Sequence, residues 1–468
     1  TPSPGAMTSL GRLKPADFAP ALGGAGHGEA YLEISESTAL RLEDSRIEDI
    51  AVSTEHGVGL RYLKRGGRNI DTVFGSANRL DAEEARSLSR ALLPSRPEGG
   101  PILPETLSLY RHSFRVDPRS VPLADKISLL RQADRVIRSE FSGIRQVTAV
   151  YGERAKEFAV LDSEGGAAGE SRVTVMFSVT VVAEKDGILQ TGNAMVGALR
   201  GYEILLDQDP LAAARLAARR AVAKLSAPKA KAGEFPVVLA NSAGGTFIHE
   251  AIGHSLEADH VQEGSSPAYV GKIGAQIAPE FLSVIDDPTL PFQRGSFRFD
   301  DEGVPARATK LVDNGVLKDF LYDRVTSMQD GKSPNGHGRR ESFHSRPIPR
   351  MSNLYIAPGP HDPAQILKEL KAGVLVTRMG GGQVNTATGE FVFEVDEGFW
   401  VEDGKIRHMI RDANLLGVGP ETLSSISRLG WDIGWGIGTC GKDGQGVPVS
   451  DAQPTMLLPK ILIGGRHD

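Results

Sequence analysis

The stretch TFIHEAIGHSLEADH, residues 246–260, places three histidines and three carboxylates in fifteen positions. His249 and Glu250 are adjacent, and His254 follows five residues after His249. Imidazoles and a carboxylate so combined offer metal ligation and proton transfer. Zinc peptidases use such a pairing, with a glutamate beside a ligating histidine taking a proton from water on the metal. Here the spacing is one residue longer than H-E-x-x-H, and the geometry changes with it. A regular helix advances about 100° per residue, so histidines five apart diverge by about 140° and cannot share an ion. A π-bulge would bring them back to one face. So would a break at Gly253, the residue least able to continue a helix here. Read from the spacing alone, the pair is either two unrelated histidines or a metal pair on an irregular helix.

A catalytic zinc normally takes three protein ligands and leaves one position open. Candidates for the third are Cys440, Glu257, His260, His337 and His344. Cys440 has the best chemistry, because metal binding stabilises a thiolate. Glu257 lies three residues after His254 and could share a face with it, although alone it reads as a solvated helix carboxylate. Cys440 is the only cysteine and sits in GIGTCGKDGQG among five glycines. An intramolecular disulfide is therefore impossible, which fits a reducing cytoplasm.

Elements must position these residues over a chain of 468, long enough for two or three domains. Hydrophobic residues make up 40% and charged residues 24%, ordinary for a globular protein. The net charge of −6, from 53 bases and 59 acids, argues against nucleic acid or an anionic membrane as partner. No apolar run reaches the roughly 20 residues that span a bilayer. The first residues, TPSPGAMTSLGRLKP, lack an apolar stretch of signal-peptide length, and Met7 is a candidate native start. Residues 1–28 are expected to form an arm, partly disordered or a tag remnant.

Residues 29–76 read as short strands, AYLEIS, IEDIAVS and GVGLRYL. Residues 81–93 read as a helix capped by Asp81 with acids in its first turn, and 94–106 as a linker rich in Pro and Gly. An amphipathic helix is predicted over 122–140. It precedes the strands IRQVTAVYGE, KEFAVLDSEG and SRVTVMFSVTVVAEKDG and an alanine-rich helix ending near Pro228. Residues 29–106 thus form a small α/β domain with its linker, and 107–234 a helix–meander–helix α/β domain. From 235 to 468 glycine is frequent and helices are few, apart from DPAQILKELKAG and GPETLSSISRLG. Hairpins are expected at Asn314-Gly315, which suits a turn needing positive φ at both positions, and in GEFVFEVDEGFWVEDGKIRH. The fold class is α+β. A layered α/β N-terminal region precedes a largely antiparallel, β-rich catalytic domain carrying the H-E-x-x-x-H helix.

HEAIGHSLEADH resembles the H-E-x-x-x-H signature of the TldD/PmbA family, in its TldD-type, metal-bearing branch. RGSFRFDDEGVPA, NGHGRRESF, PRMSNLYI, GGGQVNTATGEFVFEV and GTCGKDGQGVPVSDAQPTM resemble further stretches of that family, in the expected order. The likeness is strong from about 236 to 468 and weaker before. It implies a zinc-dependent peptidase hydrolysing unfolded or short peptides. His249, His254 and Cys440 would bind Zn2+, and Glu250 would be general base and then proton donor to the leaving amine. It also implies that five-residue spacing is this family's own, so the helix should depart from regularity around residues 252–254. Family members pair as dimers, so the partner would be a second copy or a metal-less PmbA/TldE-type sister subunit. The chain departs from the family's glycines at Ser255 and Ala258, and at Ser450, Asp451 and Ala452; these changes bear on substrate preference.

Two further expectations concern substrate contacts. GGGQVN, residues 380–385, could offer a strand edge to a peptide, or be a simple loop. Arg339 or Arg340 could meet a substrate carboxylate or oxyanion, with a salt bridge the expected role for at least one. Competing readings are a metal-independent hydrolase with Cys440 as nucleophile and a histidine base, and a non-catalytic peptide-binding subunit.

Overall fold

In SRVTVMFSVTVVAEK every second residue from Val173 to Ala183 is apolar and buried, the alternation that sets one face of a strand on a core. The structure, a computed structural model, describes residues 9–24, 26–67, 69–95 and 99–465. Met7 and residues 1–6 lie outside them. From Ser9 the arm is a series of helical turns ending in α1 (Ala19–Leu22), with Leu10, Phe18 and Leu22 packed in an apolar cluster.

The first sheet joins β1 (His27–Glu43), β2 (Arg46–Gly66), β3 (Asn69–Ala77), β4 (Tyr110–Arg111), β5 (Ile144–Asp162), β6 (Ala167–Lys185) and β7 (Ile188–Ala198) in the order β3-β2-β1-β5-β6-β4, with β7 on β6. Helix α2 (Ala82–Leu92) begins at Asp81, whose carboxylate accepts the backbone N–H of Glu84. Helices α3 (Leu123–Glu140) and α5 (Pro210–Leu225), with the one-turn α4 (Ile204–Asp207) before the latter, cover the sheet face bearing Val175, Phe177 and Val179. The strands are longer than the sequence suggests. β2 runs unbroken through IEDIAVS and GVGLRYL, and β5 through IRQVTAVYGE and KEFAVLDSEG. The apolar pattern breaks in β2 because the strand passes from solvent, at residues 48–56, into the core at 57–63. A change of cover there imitates a turn.

The second sheet has β9 (Val284–Asp286), β10 (Thr309–Asp313), β11 (Val316–Leu317), β14 (Asn353–Ile356), β20 (Gly434–Lys442) and β21 (Gln445–Gln453), ordered β11-β10-β9-β14-β21-β20. Asn314 and Gly315 join β10 to β11 with φ of 49° and 80°, the predicted turn. The two-residue strands β12 (Gly338–Arg339) and β13 (Ile348–Pro349) pair with each other.

The third sheet contains β8 (Gly233–Leu239), β15 (Ala372–Val384), β16 (Glu390–Glu402), β17 (Lys405–Ile410), β18 (Ala413–Val418), β19 (Arg428–Leu429) and β22 (Met456–Gly465). β15 pairs with both β8 and β16, so β15, β8, β22, β18 and β16 close into a ring. Helix α6 (Thr246–Ala251) buries Phe247, Ile248 and Ala251 with side chains of both of these sheets. Helices α9 (Pro363–Glu369) and α10 (Gly419–Ser425) lie where expected. Helices α7 (Ala258–Gln262) and α8 (Arg324–Gln329) were not foreseen; five and six residues are too short to show a helical period.

Buried ion pairs tie the first sheet to the rest. Arg61 bonds Glu29 at 2.6 Å and also Glu302, and Arg340 bonds Glu29 at 2.5 Å. Glu170 of β6 accepts the backbone N–H groups of Arg298 and Phe299, both at 2.9 Å. Among the described residues no helix is long and apolar enough to cross a membrane.

Candidate metal centre

The valines of β8 end at a turn of small residues, 240–245, that feeds directly into α6. Gly245 lets this turn lie against β21, since a Cβ there would stand 2.3 Å from that of Asp451. The α-helix stops at Ala251. Ile252 then takes φ −127° and ψ −46°, and residues Gly253–Leu256 continue as a 3-10 turn. The break falls within residues 252–254, as expected. Gly253 is packed so tightly that a Cβ would meet the Met351 sulfur at 2.1 Å. The break cancels the divergence of the two histidines: their rings stand 5.1 Å apart and nearly perpendicular.

Cys440 on β20 faces them. Its Sγ lies 3.7 Å from His254 Nε2, and the ligand atoms of His249, His254 and Cys440 all lie within 4.8 Å of one another. Around a tetrahedral zinc, sulfur and nitrogen ligands stand roughly 3.5 Å apart, so the donor set fits. Each imidazole is also oriented from behind. His249 Nδ1 meets Asp451 Oδ1 at 2.8 Å, and His254 Nδ1 meets Glu257 Oε2 at 3.0 Å. With Nδ1–H given to a carboxylate, Nε2 of each ring is the lone pair left for an ion.

The electrostatics favour a cation. Burial would push the Cys440 thiol up, but His249 and His254 outweigh it and bring its pKa to about 5. Burial would lower the His254 pKa, yet Glu257 and Cys440 raise it to about 9. His249 is likewise pushed down by burial and held well above its ordinary value by Asp451 and Cys440. Protons on the rings thus answer a field that a metal ion would answer when bound. Glu250 stands 3.8 Å from His254 Nε2, with 27% of its side chain exposed, the most open of the group. Burial raises its carboxyl pKa, and the two histidines oppose that rise.

The other candidates take different places. Glu257 is fully buried, not solvated, and receives Lys442 Nζ at 3.0 Å as well as His254. Lys442 also meets Asp259 and the carbonyl of Pro349. Glu257, Asp259 and His260 have ligand atoms close together, but the ammonium already sits on both carboxylates. His260 Nδ1 bonds the His254 carbonyl at 2.9 Å. His337 is buried beside Thr309 and Asp286, and His344 lies against Phe343. Arg339 and Arg340 are structural rather than substrate-facing. Arg339 holds the carbonyls of Met351 and Pro448, and Arg340 holds Glu29 and the Asp301 carbonyl.

Sequence reasoning missed Asp451 and Lys442. For Lys442 a signal existed: two residues after Cys440 on a strand, it shares that residue's face. Asp451 was read only as a change affecting substrate.

A cavity of about 370 Å³ opens beside the first turn of α6, bordered by Gly245, Thr246, Asp451, Arg378 and Gly381. Here β15 bulges between Met379 and Gly382. Beyond residue 376 its edge toward β8 has no strand partner among the described residues.

Comparison with known proteins places this geometry in a group. Family models described as PmbA/TldA metallopeptidase domain 1, central domain and C-terminal domain match residues 28–92, 116–225 and 232–465. A metalloprotease TldD homolog of Haemophilus influenzae is 32% identical, covering 94% of this chain and 93% of its own. A zinc metalloprotease TldD homolog of Saccharolobus solfataricus is 36% identical over 53% of this chain and 55% of its own. In fold, the chain is similar to the crystal structure of TldE from Thermococcus kodakarensis, with TM-score 0.72 and 19% identity, over 94% of this chain and 97% of that one.

Proposed function

The chain belongs to the PmbA/TldD family and is a metallopeptidase, and on that premise we propose that it is a zinc-dependent peptidase of unfolded or short peptides. Its ligands are His249, His254 and Cys440, and its base is Glu250. The observation that carries this reading is the convergence of three donor atoms, two of them on rings whose far nitrogens are held by carboxylates. A bound zinc supplies Lewis acidity to the scissile carbonyl and makes water acidic. Glu250 takes the proton of the attacking water at a carboxylate oxygen as the new C–O bond forms. It delivers that proton to the amide nitrogen as the C–N bond breaks. Its partial exposure lets a substrate reach it, whereas Cys440, 3% exposed, is poorly open to attack a peptide itself.

An extended peptide has a seat on the unpaired edge of β15, where main-chain hydrogen bonds give affinity without reading side chains. The dimer partner in this reading is a second copy or a TldE-type sister. The lone, unbridged cysteine suits a cytoplasmic setting. The test is metal content by mass spectrometry on untagged wild type and Cys440→Ala, followed by cleavage of an unstructured peptide by wild type and Glu250→Gln. About one zinc per chain, lost in Cys440→Ala, with cleavage lost in Glu250→Gln, is the expected result. Cleavage that survives complete zinc removal would sink the metal mechanism in favour of a thiol one.

A further inference from the structure

His249 and His254 are both backed by carboxylates, but the two carboxylates differ. Glu257 is shared between His254 and the ammonium of Lys442. Asp451, among the described residues, has one ion-pair partner, His249. Its backbone is clamped between two strands, opposite Leu354 of β14 and Gly436 of β20. Its Cβ lies against Gly245, one helical turn before His249. The side chain therefore has little freedom: Asp451 Oδ1 meets His249 Nδ1 at 2.8 Å, and the residue also helps to line the 370 Å³ cavity.

We infer that Asp451 is the positioning residue of His249: it holds the ring in the Nδ1–H tautomer, fixes its plane, and makes Nε2 a stronger zinc donor. The inference rests on the zinc reading above. A carboxylate behind a ligating histidine fixes its orientation and raises its basicity, and losing one commonly weakens metal binding about 10- to 100-fold.

The test measures zinc dissociation constants by chelator competition on full-length wild type, Asp451→Ala and Asp451→Asn, and the visible spectra of the same proteins loaded with cobalt(II). Asp451→Ala should bind zinc about 10- to 100-fold more weakly, with an altered cobalt band. Asp451→Asn keeps an acceptor in place without the charge, so it should fall between wild type and Asp451→Ala on both readouts. A loss of packing alone would not be rescued in that order. If Asp451→Ala does not fold, the isosteric Asp451→Asn decides against wild type. Zinc affinities within about twofold of wild type and unchanged cobalt spectra would overturn the inference while leaving the zinc site standing. A folded wild type that binds no zinc overturns the site, and this inference with it.

Discussion

His254 Nε2 and Cys440 Sγ stand 3.7 Å apart across 186 residues of chain, one on the 3-10 turn after α6 and the other on β20. A contact of such range between a ring nitrogen and a sulfur closes only when the second sheet is assembled on α6. Ligand binding and folding of the C-terminal part are therefore linked, because an ion that binds only the folded site stabilises it by mass action. Adding zinc to metal-free wild type should raise its melting temperature in a concentration-dependent way. The same addition to Cys440→Ala should move it far less. Calorimetry with and without zinc checks this, and an equal rise in both proteins would contradict the three-ligand site.

Glu250 stands 3.8 Å from His254 Nε2, beyond hydrogen-bond reach, so its removal should separate chemistry from binding at the three proposed ligands. Glu250→Gln should retain wild-type zinc content and melting temperature while kcat falls by about 10²- to 10⁴-fold, the usual contribution of a general base. Parallel losses of zinc and activity would mean that the residue is structural.

Among the described residues Lys442 carries the only ammonium on the buried Glu257. Lys442→Met leaves that carboxylate without its strongest partner, and breaking a buried pair from one side costs about 3–5 kcal/mol. Urea unfolding should show a lower midpoint by that order with little change in slope. The double variant Lys442→Met/Glu257→Gln should recover part of the loss, since the fully buried Glu257 charge is then gone while the more exposed Asp259 alone lacks the ammonium.

Glu170 makes a pH window. Burial would raise its pKa, but Arg172 and His112 outweigh it and bring it to about 2. A folded value below the ordinary 4.5 means stability that is complete above about pH 4.5 and lost as the pH falls toward 2. The amount is on the order of 3 kcal/mol. Unfolding free energy followed from pH 6 to 2.5 should decline in wild type. In Glu170→Gln the decline should be shallower by that order, from a lower starting value.

Gly381 tests the peptide seat. A Cβ there would meet nothing within 4 Å, so Gly381→Val should fold and bind zinc like wild type. If the β15 edge holds the substrate, its side chain obstructs the approach, and KM for an unstructured peptide should rise by about tenfold or more while Glu250 and the metal are untouched. An unchanged KM would move the seat elsewhere.

Much of this was legible from local chemistry. Asp81 announced α2 because an N-cap acts within three residues, and Asn314-Gly315 announced its hairpin because the turn needs positive φ at both positions. The break after Ala251 was implied by the family resemblance, which asks two histidines five residues apart to serve one ion. What depended on distant partners was not legible. Arg340 resembles a substrate clamp until Glu29, 311 residues away, is found beside it. The long strands β2 and β5 read as pairs of short ones, since what covers a strand from above is not written in the strand. Asp451 is the sharpest case. Nothing in VPVSDAQ points to a histidine 202 residues earlier, and only the sheet pairing and the turn at Gly245 bring them together.

The closed ring of the third sheet sets an order of events during synthesis. Strand β8, which launches α6, needs β22 at its other edge, and β22 comprises Met456–Gly465. Cys440 and Asp451 also arrive late in translation. A ribosome that has made His249, Glu250 and His254 still holds an incomplete form of the proposed metal centre, and must add some two hundred further residues before Cys440 can join the two histidines. The donor set proposed here therefore cannot assemble on a nascent chain that stops short of β20. The distance between His254 and Cys440 along the chain sets the length of that delay.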